Sequence, residues 1–333
     1  MGVVTSFSPF GEIKTAPPDP ILGIKQRFLP DSNPRKVDLS VGVYQDEKGR
    51  TDYLAVVQKA QLKLAAQDVQ AGYLPIDGLP EFNRHVQRML FGEAAEVISA
   101  RRVVTVQAVG GTSALRYGAD FLRRHMPGVS ILVSDPTWEN HKALFERAGL
   151  RTTAYPYYQP ASGGLDLSGM LAALKQAPRR SVVLLHAACH NPTGVDPSPQ
   201  QWDEIIDLLG RQELIPFLDF AYQGLGRGLD EDAAVVRKLA AAGFEFLVAS
   251  SFSKNFSLYR RRTGALSVVV GDESTAGRVL SQLKTDIRAN NSNPPIDGAA
   301  IVNLVLSDPV LRGEWEEQLK GMRDRIEIEK QRE

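Results

Sequence analysis

The stretch Ser250-Ser251-Phe252-Ser253-Lys254-Asn255-Phe256-Ser257-Leu258-Tyr259 follows the apolar run Phe246-Leu247-Val248-Ala249. A short apolar run of this kind reads as a buried strand. It delivers a lone lysine, flanked by small hydroxyl residues, to the end of a sheet. An ammonium is costly to bury, so the pKa of such a lysine falls and its neutral amine becomes a usable nucleophile and base. A Schiff-base lysine requires this. Downstream, Arg262 carries a planar fork suited to bidentate phosphate binding. Taken alone, S-x-x-K beside a strand is usually only a loop, so the assignment rests on its surroundings.

Working outward, strands alternate with helices. Val103–Val109 is a β-rich run that leads through Gly110-Gly111-Thr112-Ser113 into a helix ending near His125. Ser130–Val133 is a second strand, followed by Asp135-Pro136-Thr137-Trp138 and a helix to about Ala148. Ser181–Leu185, Ile215–Leu218, Phe246–Ala249 and Ala265–Val270 read as further strands; Asp166–Lys175, Gln200–Arg211 and Asp232–Ala242 read as helices. This alternation predicts an α/β fold, a mostly parallel sheet with helices on both faces. Upstream, residues 52–69 and Pro80–Leu90 have helical spacing, Val37–Tyr44 reads as a strand or loop around Gly42, and the prolines 9, 17, 18 and 20 suggest an extended arm. At the other end Trp315, Leu319, Met322 and Ile326 form the stripe of a long amphipathic helix with no Gly or Pro to close it.

The 333 residues suffice for one large α/β domain with a smaller companion. Lys plus Arg and Asp plus Glu number 39 each, so there is no basic excess of the kind a nucleic-acid surface needs. Cys189 is the single cysteine, which excludes an intrachain disulfide and fits a reducing, cytoplasmic setting. The N-terminus lacks the pattern of a signal peptide, and no apolar run approaches a membrane span. Met1-Gly2 with Ser6 matches a myristoylation signal only superficially.

Three further places can carry chemistry. Gly110-Gly111-Thr112-Ser113, between strand and helix, lets backbone approach an anion at a helix N-terminus, although a plain tight turn has the same sequence. Asp219 ends an apolar strand, where open α/β sheets put ligand-binding residues, and Tyr222 lies close behind it. His186-Ala187-Ala188-Cys189-His190-Asn191-Pro192-Thr193-Gly194 lacks a second ligand pair at zinc spacing, so it reads as a loop presenting His186 and Asn191 rather than as a metal site. Asn191-Pro192 is a candidate cis bond.

The string S-S-F-S-K-N-F-S-L-Y-R-R-R-T-G, together with H-A-A-C-H-N-P-T-G, F-L-D-F-A-Y-Q-G and V-G-G-T-S-A-L-R, closely resembles the pyridoxal-phosphate (PLP) aminotransferases of fold type I. Within them it resembles the aspartate and aromatic-amino-acid subgroup, from about Asp19 to the chain end. The resemblance implies a homodimer that exchanges amino groups between aromatic or acidic amino acids and 2-oxoglutarate. It implies an arm over residues 1–18, a small domain from 19–45 and 289–333, and a large PLP-binding domain over 46–288. Lys254 would carry the cofactor and move the Cα proton. Asp219, supported by His141, would pair with the pyridine nitrogen; Tyr222 and Asn191 would hold the phenolic oxygen; Trp138 would stack on the ring. Gly111, Thr112, Ser251 and Arg262 would seat the phosphate, with Tyr73 reaching in from a neighbouring subunit. Gly42 would meet the substrate α-carboxylate, and Arg288 would cross the dimer interface to grip a distal one; Trp138 and Asn191 would also face substrate.

Two departures from the family pattern stand out. Ser257 occupies a position where many aspartate-preferring members carry Gly, and F-S-L-Y leans to the aromatic branch. The arginine that binds the α-carboxylate as a bidentate pair has no match, because Arg323, Arg325 and Arg332 all lie on the last helix. The expectation is therefore a C-terminally shortened chain. Aspartate specificity, another PLP reaction such as β-elimination, and a cofactor-binding chain with weak or no turnover stay open as alternatives.

Overall fold

The computed structural model describes Ser8 and residues 10–17, 23–24, 28–38, 42–46, 49–67 and 72–330. Two units separate, Met1–Thr51 and Asp52–Glu333. In the first, the Lys36 ammonium donates to the carbonyls of Phe28, Leu29 and Asp31 and lies 4.6 Å from the Phe28 ring centroid. Ile13–Pro17 carry no regular structure, as the proline content implies, while Pro9, Pro18 and Pro20 lie outside the described residues. Of Val37–Tyr44, the described residues form no strand.

The second unit is built on strands β1 (Val103–Val109), β2 (Ser130–Asp135), β3 (Arg151–Pro156), β4 (Tyr158–Gln159), β5 (Gly164–Leu165), β6 (Val182–His186), β7 (Ile215–Phe220), β8 (Phe246–Ser251) and β9 (Thr263–Val269). Seven of them form one sheet in the order β1-β9-β8-β7-β6-β2-β3, and β4 with β5 makes a small antiparallel pair. Strands β8, β7, β6, β2 and β3 run parallel, whereas β9 is antiparallel to both β8 and β1. The central parallel strands β6, β7 and β8 are buried almost throughout, which is why they read as near-continuous apolar runs. From β2 the chain steps outward to β3, then returns to β6 on the other side of β2 and proceeds to β7 and β8. The β2–β6 boundary is thus a topological switch point, and ligands in open α/β sheets bind outside the carboxyl ends of strands at such a boundary.

Helices α1 (Ala55–Ala65), α2 (Pro80–Phe91), α3 (Glu96–Ser99), α4 (Gly110–His125), α5 (Asn140–Arg147), α6 (Leu167–Gln176), α7 (Pro199–Arg211), α8 (Leu229–Asp232), α9 (Ala234–Ala241), α10 (Glu273–Asn290), α11 (Asp297–Ser307) and α12 (Pro309–Lys330) complete the described part. Local chemistry sets several ends. Ser198 and Gln201 form a reciprocal capping box ahead of α7, and Asp166 and Asp272 cap α6 and α10. Helix α4 turns Ala114, Leu115, Tyr117, Ala119 and Leu122 into the core. Gly118 lets it lie against β7: a Cβ there would stand 2.4 Å from the Phe217 ring.

The expected Asp232–Ala242 helix forms as α9, one residue after the short α8, and the carboxylate of Asp232, the last residue of α8, accepts the N–H groups of Gly224, Gly226 and Arg227. Strand β3, with mostly exposed or half-buried side chains at the sheet edge, had no apolar pattern to announce it. The C-terminal stripe does bury: Trp315, Leu319 and Met322 are covered, with Ile326 half-buried. Trp315 stacks on Phe256 with centroids 4.5 Å apart and donates its indole N–H to Asn255 O at 2.8 Å. Helix α12 therefore braces the residues that follow Lys254.

Candidate active site

Parallel pairing sets the ends of β6, β7 and β8 side by side, with His186 opposite Asp219 and Asp219 opposite Ala249. Asp219 is buried, and His141 Nε2 lies 3.0 Å from its Oδ2. The other ring nitrogen of His141 lies 2.8 Å from Thr137 Oγ1. Because Thr137 can donate its hydroxyl proton to Nδ1, this pairing suits an Nε2–H that donates to the carboxylate. Burial would raise the Asp219 carboxyl, but the His141 hydrogen bond and the charges of His141, His186 and Lys254 outweigh it and hold it below the usual range. Asp219 is therefore an anion at neutral pH, aimed at the switch-point crevice.

Lys254 Nζ sits 4.9 Å from the centroid of the Tyr222 ring. Its pKa is lowered by burial, with Asp219 opposing and Arg262 reinforcing the shift. Burial, aided by the neighbouring Asp219 charge, pushes the Tyr222 phenol up to about 12. Trp138 stands edge-on to His141 at 5.2 Å, and Asn191 lies in the loop after β6, joined to Pro192 by a cis bond. Asp135–Pro136 is also cis, which the sequence reading did not anticipate.

On the β8–β9 side, Gly110, Gly111 and Thr112 open α4, and no side chain caps that helix. Its free N–H groups and partial positive charge are left for an anion. Arg262 lies alongside: a Cβ on Gly110 would come within 2.5 Å of its Nη2, and one on Gly111 would stand 3.0 Å from Ser251 Cβ. Arg262 donates from Nη1 to Ser253 Oγ at 3.3 Å and to Tyr259 O at 3.0 Å. Ser251 donates to Ser253 Oγ at 3.2 Å, and buried Ser250 Oγ makes no hydrogen bond among the described residues. The cradle is thus two glycines, two or three hydroxyls, a helix end and one guanidinium.

The remaining candidates are set elsewhere. Tyr73 is 94% exposed. Arg288 is exposed in the last turn of α10 and hydrogen-bonds Ser292 Oγ. Asn293 Nδ2 donates to Leu74 O at 2.7 Å, so Tyr73 and the segment after Arg288 share one surface region. Gly42 belongs to the first unit, where it is exposed. Arg323 is on α12 and donates to Gly224 O at 2.6 Å, while Arg332 lies outside the described residues.

Sequence reading missed Thr137 and the histidine stack behind the site. His186 lies 5.3 Å from His141 and 4.3 Å from His190, centroid to centroid, and His190 stacks on Tyr157 at 3.7 Å. The donor atoms of His141, His186 and Asp219 all fall within 4.8 Å of one another, a cluster the sequence did not assemble. His186 Nε2 is buried without a hydrogen bond among the described residues. Burial, with His141 assisting and Asp219 opposing, lowers its pKa to about 4. The folded state holds His186 neutral while the unfolded chain takes up a proton below about 6.5. Stability is thus full above pH 6.5 and falls as the pH drops towards 4, by roughly 3 kcal/mol from this group. Denaturant titrations at several pH values should show a flatter acid limb for His186→Asn; an unchanged limb would remove His186 from this role.

The family of the chain can now be stated. The family model described as aminotransferase class I and II matches residues 34–332. The chain belongs to this family. It is 50% identical to an aspartate aminotransferase of Pseudomonas aeruginosa over 95% of its own length and 80% of that protein's. It is 48% identical to the aromatic-amino-acid aminotransferase of Escherichia coli, covering 92% of this chain and 78% of the other. It superposes with a TM-score of 0.94 and 49% identity on an aromatic-amino-acid aminotransferase of Burkholderia pseudomallei covalently bound to pyridoxal phosphate, over 96% of this chain and 80% of that one. The chain is an aminotransferase, with the expected mostly parallel sheet.

Ser257 bears on the branch distinction. It is buried and has φ 52°, a left-handed conformation that costs a non-glycine residue about 1–2 kcal/mol. Glycine relaxes that strain but gains freedom in the unfolded chain. Ser257→Gly is expected to raise stability by about 0.5–1 kcal/mol, read from urea denaturation; a loss would show that the serine contacts outweigh the strain.

Proposed function

We propose that this aminotransferase uses PLP at Lys254 to exchange amino groups between aromatic or acidic L-amino acids and 2-oxoglutarate. The observation that carries the proposal is the buried Lys254 amine, facing Tyr222 and attracted by anionic Asp219, next to an uncapped helix end beside Arg262. The residues fit the cofactor. A dianionic phosphate matches Arg262, Ser251, Gly111 and Thr112 at the uncapped start of α4. A protonated ring nitrogen would be a donor to anionic Asp219, whose Oδ2 already meets His141 Nε2.

When bound, PLP supplies an electron sink for the negative charge left at the substrate Cα on deprotonation. Lys254 would hold the cofactor, and its neutral amine, once freed by the incoming amino acid, would take the Cα proton. Asp219 would keep a proton on the ring nitrogen, with His141 and Thr137 keeping Asp219 oriented and ionised. Tyr222 and Asn191 would hold the phenolic oxygen, and Trp138 would stack on the ring and exclude water.

The reading extends to a homodimer in which Tyr73 and Arg288 act in the neighbouring site. The exposure of both, on one surface region, supports this. It also extends to the domain plan of residues 19–45 with 289–333 in the smaller domain, and to a cytoplasmic location, which the lone Cys189 favours. Among the described residues, no helix is long and apolar enough to cross a membrane.

The test is an absorbance spectrum of the protein with PLP before and after tyrosine, phenylalanine or aspartate, followed by assay of glutamate formed from 2-oxoglutarate. Conversion of the cofactor band with each amino acid, and glutamate as product, is expected. Conversion with aspartate alone would narrow the substrate class, and pyruvate with ammonia would instead indicate β-elimination. Failure of borohydride to fix cofactor on Lys254 would sink the reading.

A further inference from the structure

The loop from β6 to α7 carries Asn191, and a surface carboxylate further along the same loop shapes it. Asp196 Oδ2 accepts the Cys189 N–H at 2.7 Å, and Oδ1 accepts the His190 N–H at 2.9 Å. These are the two residues ahead of Asn191, and Cys189 has φ 55°. Consecutive N–H groups around a left-handed residue form a concave nest for an anion. Here the anion is the chain's own carboxylate, which engages one N–H with each oxygen in charge-assisted bonds. A left-handed backbone is unfavourable for any side chain other than glycine, and the two bonds offset that cost at Cys189.

Other contacts secure the rest of the loop. The Ala187 N–H donates to Asp219 O at 3.0 Å, and the Gly194 N–H donates to His190 O at 2.7 Å. The His190 ring lies between Ser134 Oγ at 3.0 Å and Thr193 Oγ1 at 2.8 Å, stacked on Tyr157. Tyr157 Oη in turn donates to Val195 O at 2.7 Å. The half-buried Asn191 side chain, by contrast, makes no hydrogen bond among the described residues. Its direction follows from the backbone on which it stands. Ring contacts set where His190 lies, while the Asp196 bonds set the peptide planes on either side of Cys189, from which the chain runs on to Asn191.

We propose that Asp196 is a positioning residue for Asn191, holding its side-chain amide at the phenolic oxygen of PLP. This rests on the proposed seat of that oxygen between Asn191 and Tyr222. A donor on the oxygen favours its deprotonated form, so a lost or displaced donor raises the pH at which the bound cofactor gives up its proton. An asparagine in place of Asp196 keeps the shape but offers one acceptor and turns an NH₂ towards the second N–H. It therefore loses one bond of the nest and the charge behind the other.

The test is a pH titration of the visible absorbance band of the PLP-loaded protein, without substrate. The wild type is compared with Asp196→Asn, Asp196→Ala, Asn191→Ala and the double variant Asp196→Asn with Asn191→Ala. Asn191→Ala is expected to raise the midpoint by about 1 unit, the worth of one hydrogen bond to a charged group, and Asp196→Asn by about 0.5 unit. Asp196→Ala, which retains no acceptor, should shift it at least as far as Asp196→Asn. Both replace an exposed side chain, so folding is not at risk. The double variant should match Asn191→Ala, because Asp196 then has no donor left to position. Unchanged midpoints in both Asp196 variants, with Asn191→Ala shifted, would overturn the proposal and leave the reading of Asn191 intact. A further rise when Asp196→Asn is added to Asn191→Ala would mean that Asp196 acts by another route, and would overturn it equally. No shift in Asn191→Ala would remove Asn191 from the phenolic oxygen, and the positioning role with it.

Discussion

Lys254→Ala is expected to slow transamination by on the order of 10⁴-fold or more, because one side chain supplies both the covalent attachment and the proton transfer. The loss should fall on kcat. The cradle of Ser251, Arg262 and the start of α4 holds together through contacts that do not involve Lys254, so non-covalent PLP binding should survive and be measurable by fluorescence quenching. Lys254→Arg separates charge from chemistry. A guanidinium keeps the cation near Asp219 but does not become neutral, so this variant should be comparably slow. Substantial turnover by Lys254→Arg would defeat the assignment of a neutral amine. In the wild type, burial lowers the Lys254 pKa, so once substrate has freed the lysine its active form grows as pH rises through that lowered value, and kcat should climb over the same range.

Trp315→Ala is expected to cost about 3–5 kcal/mol of stability, the range for deleting a large buried aromatic. Trp315 is 1% exposed, lies flat on Phe256 and satisfies the carbonyl of Asn255, the residue after Lys254. Asn255 in turn donates to Gln223 O at 3.2 Å, beside Tyr222. Loosening this brace should also displace the lysine, so residual activity per folded molecule should fall. Trp315→Phe keeps the stack and loses only the indole donor, for about 1–3 kcal/mol, which distinguishes packing from hydrogen bonding. Chemical denaturation followed by fluorescence of the remaining tryptophans gives both values. A loss below about 1 kcal/mol for alanine would mean that α12 does not brace the loop.

What could be read along the chain and what could not divide by the range of the forces involved. The apolar runs ending at Asp219 and Ser251, the glycines before α4 and the stripe on α12 are local patterns, set by burial and by backbone freedom within a few residues. They were sufficient for the α/β fold, for a lysine at the end of a buried strand, and for a carboxylate at the end of its neighbour. The short α8 was not legible, because the carboxylate at its end reaches back to N–H groups of an earlier loop. Nor was β3, whose edge position asks little of its side chains. The meeting of His141 with Asp219 across 78 residues was expected only through the family resemblance, and that of Asn255 with Trp315 across 60 carried no local mark at all. The sequence by itself determined the elements and the kinds of chemical group they present. Only the tertiary structure decided which groups meet: the ionised state of Asp219, the neutral His186 and the left-handed Ser257 all follow from packing between distant segments, where desolvation and hydrogen-bond geometry are settled.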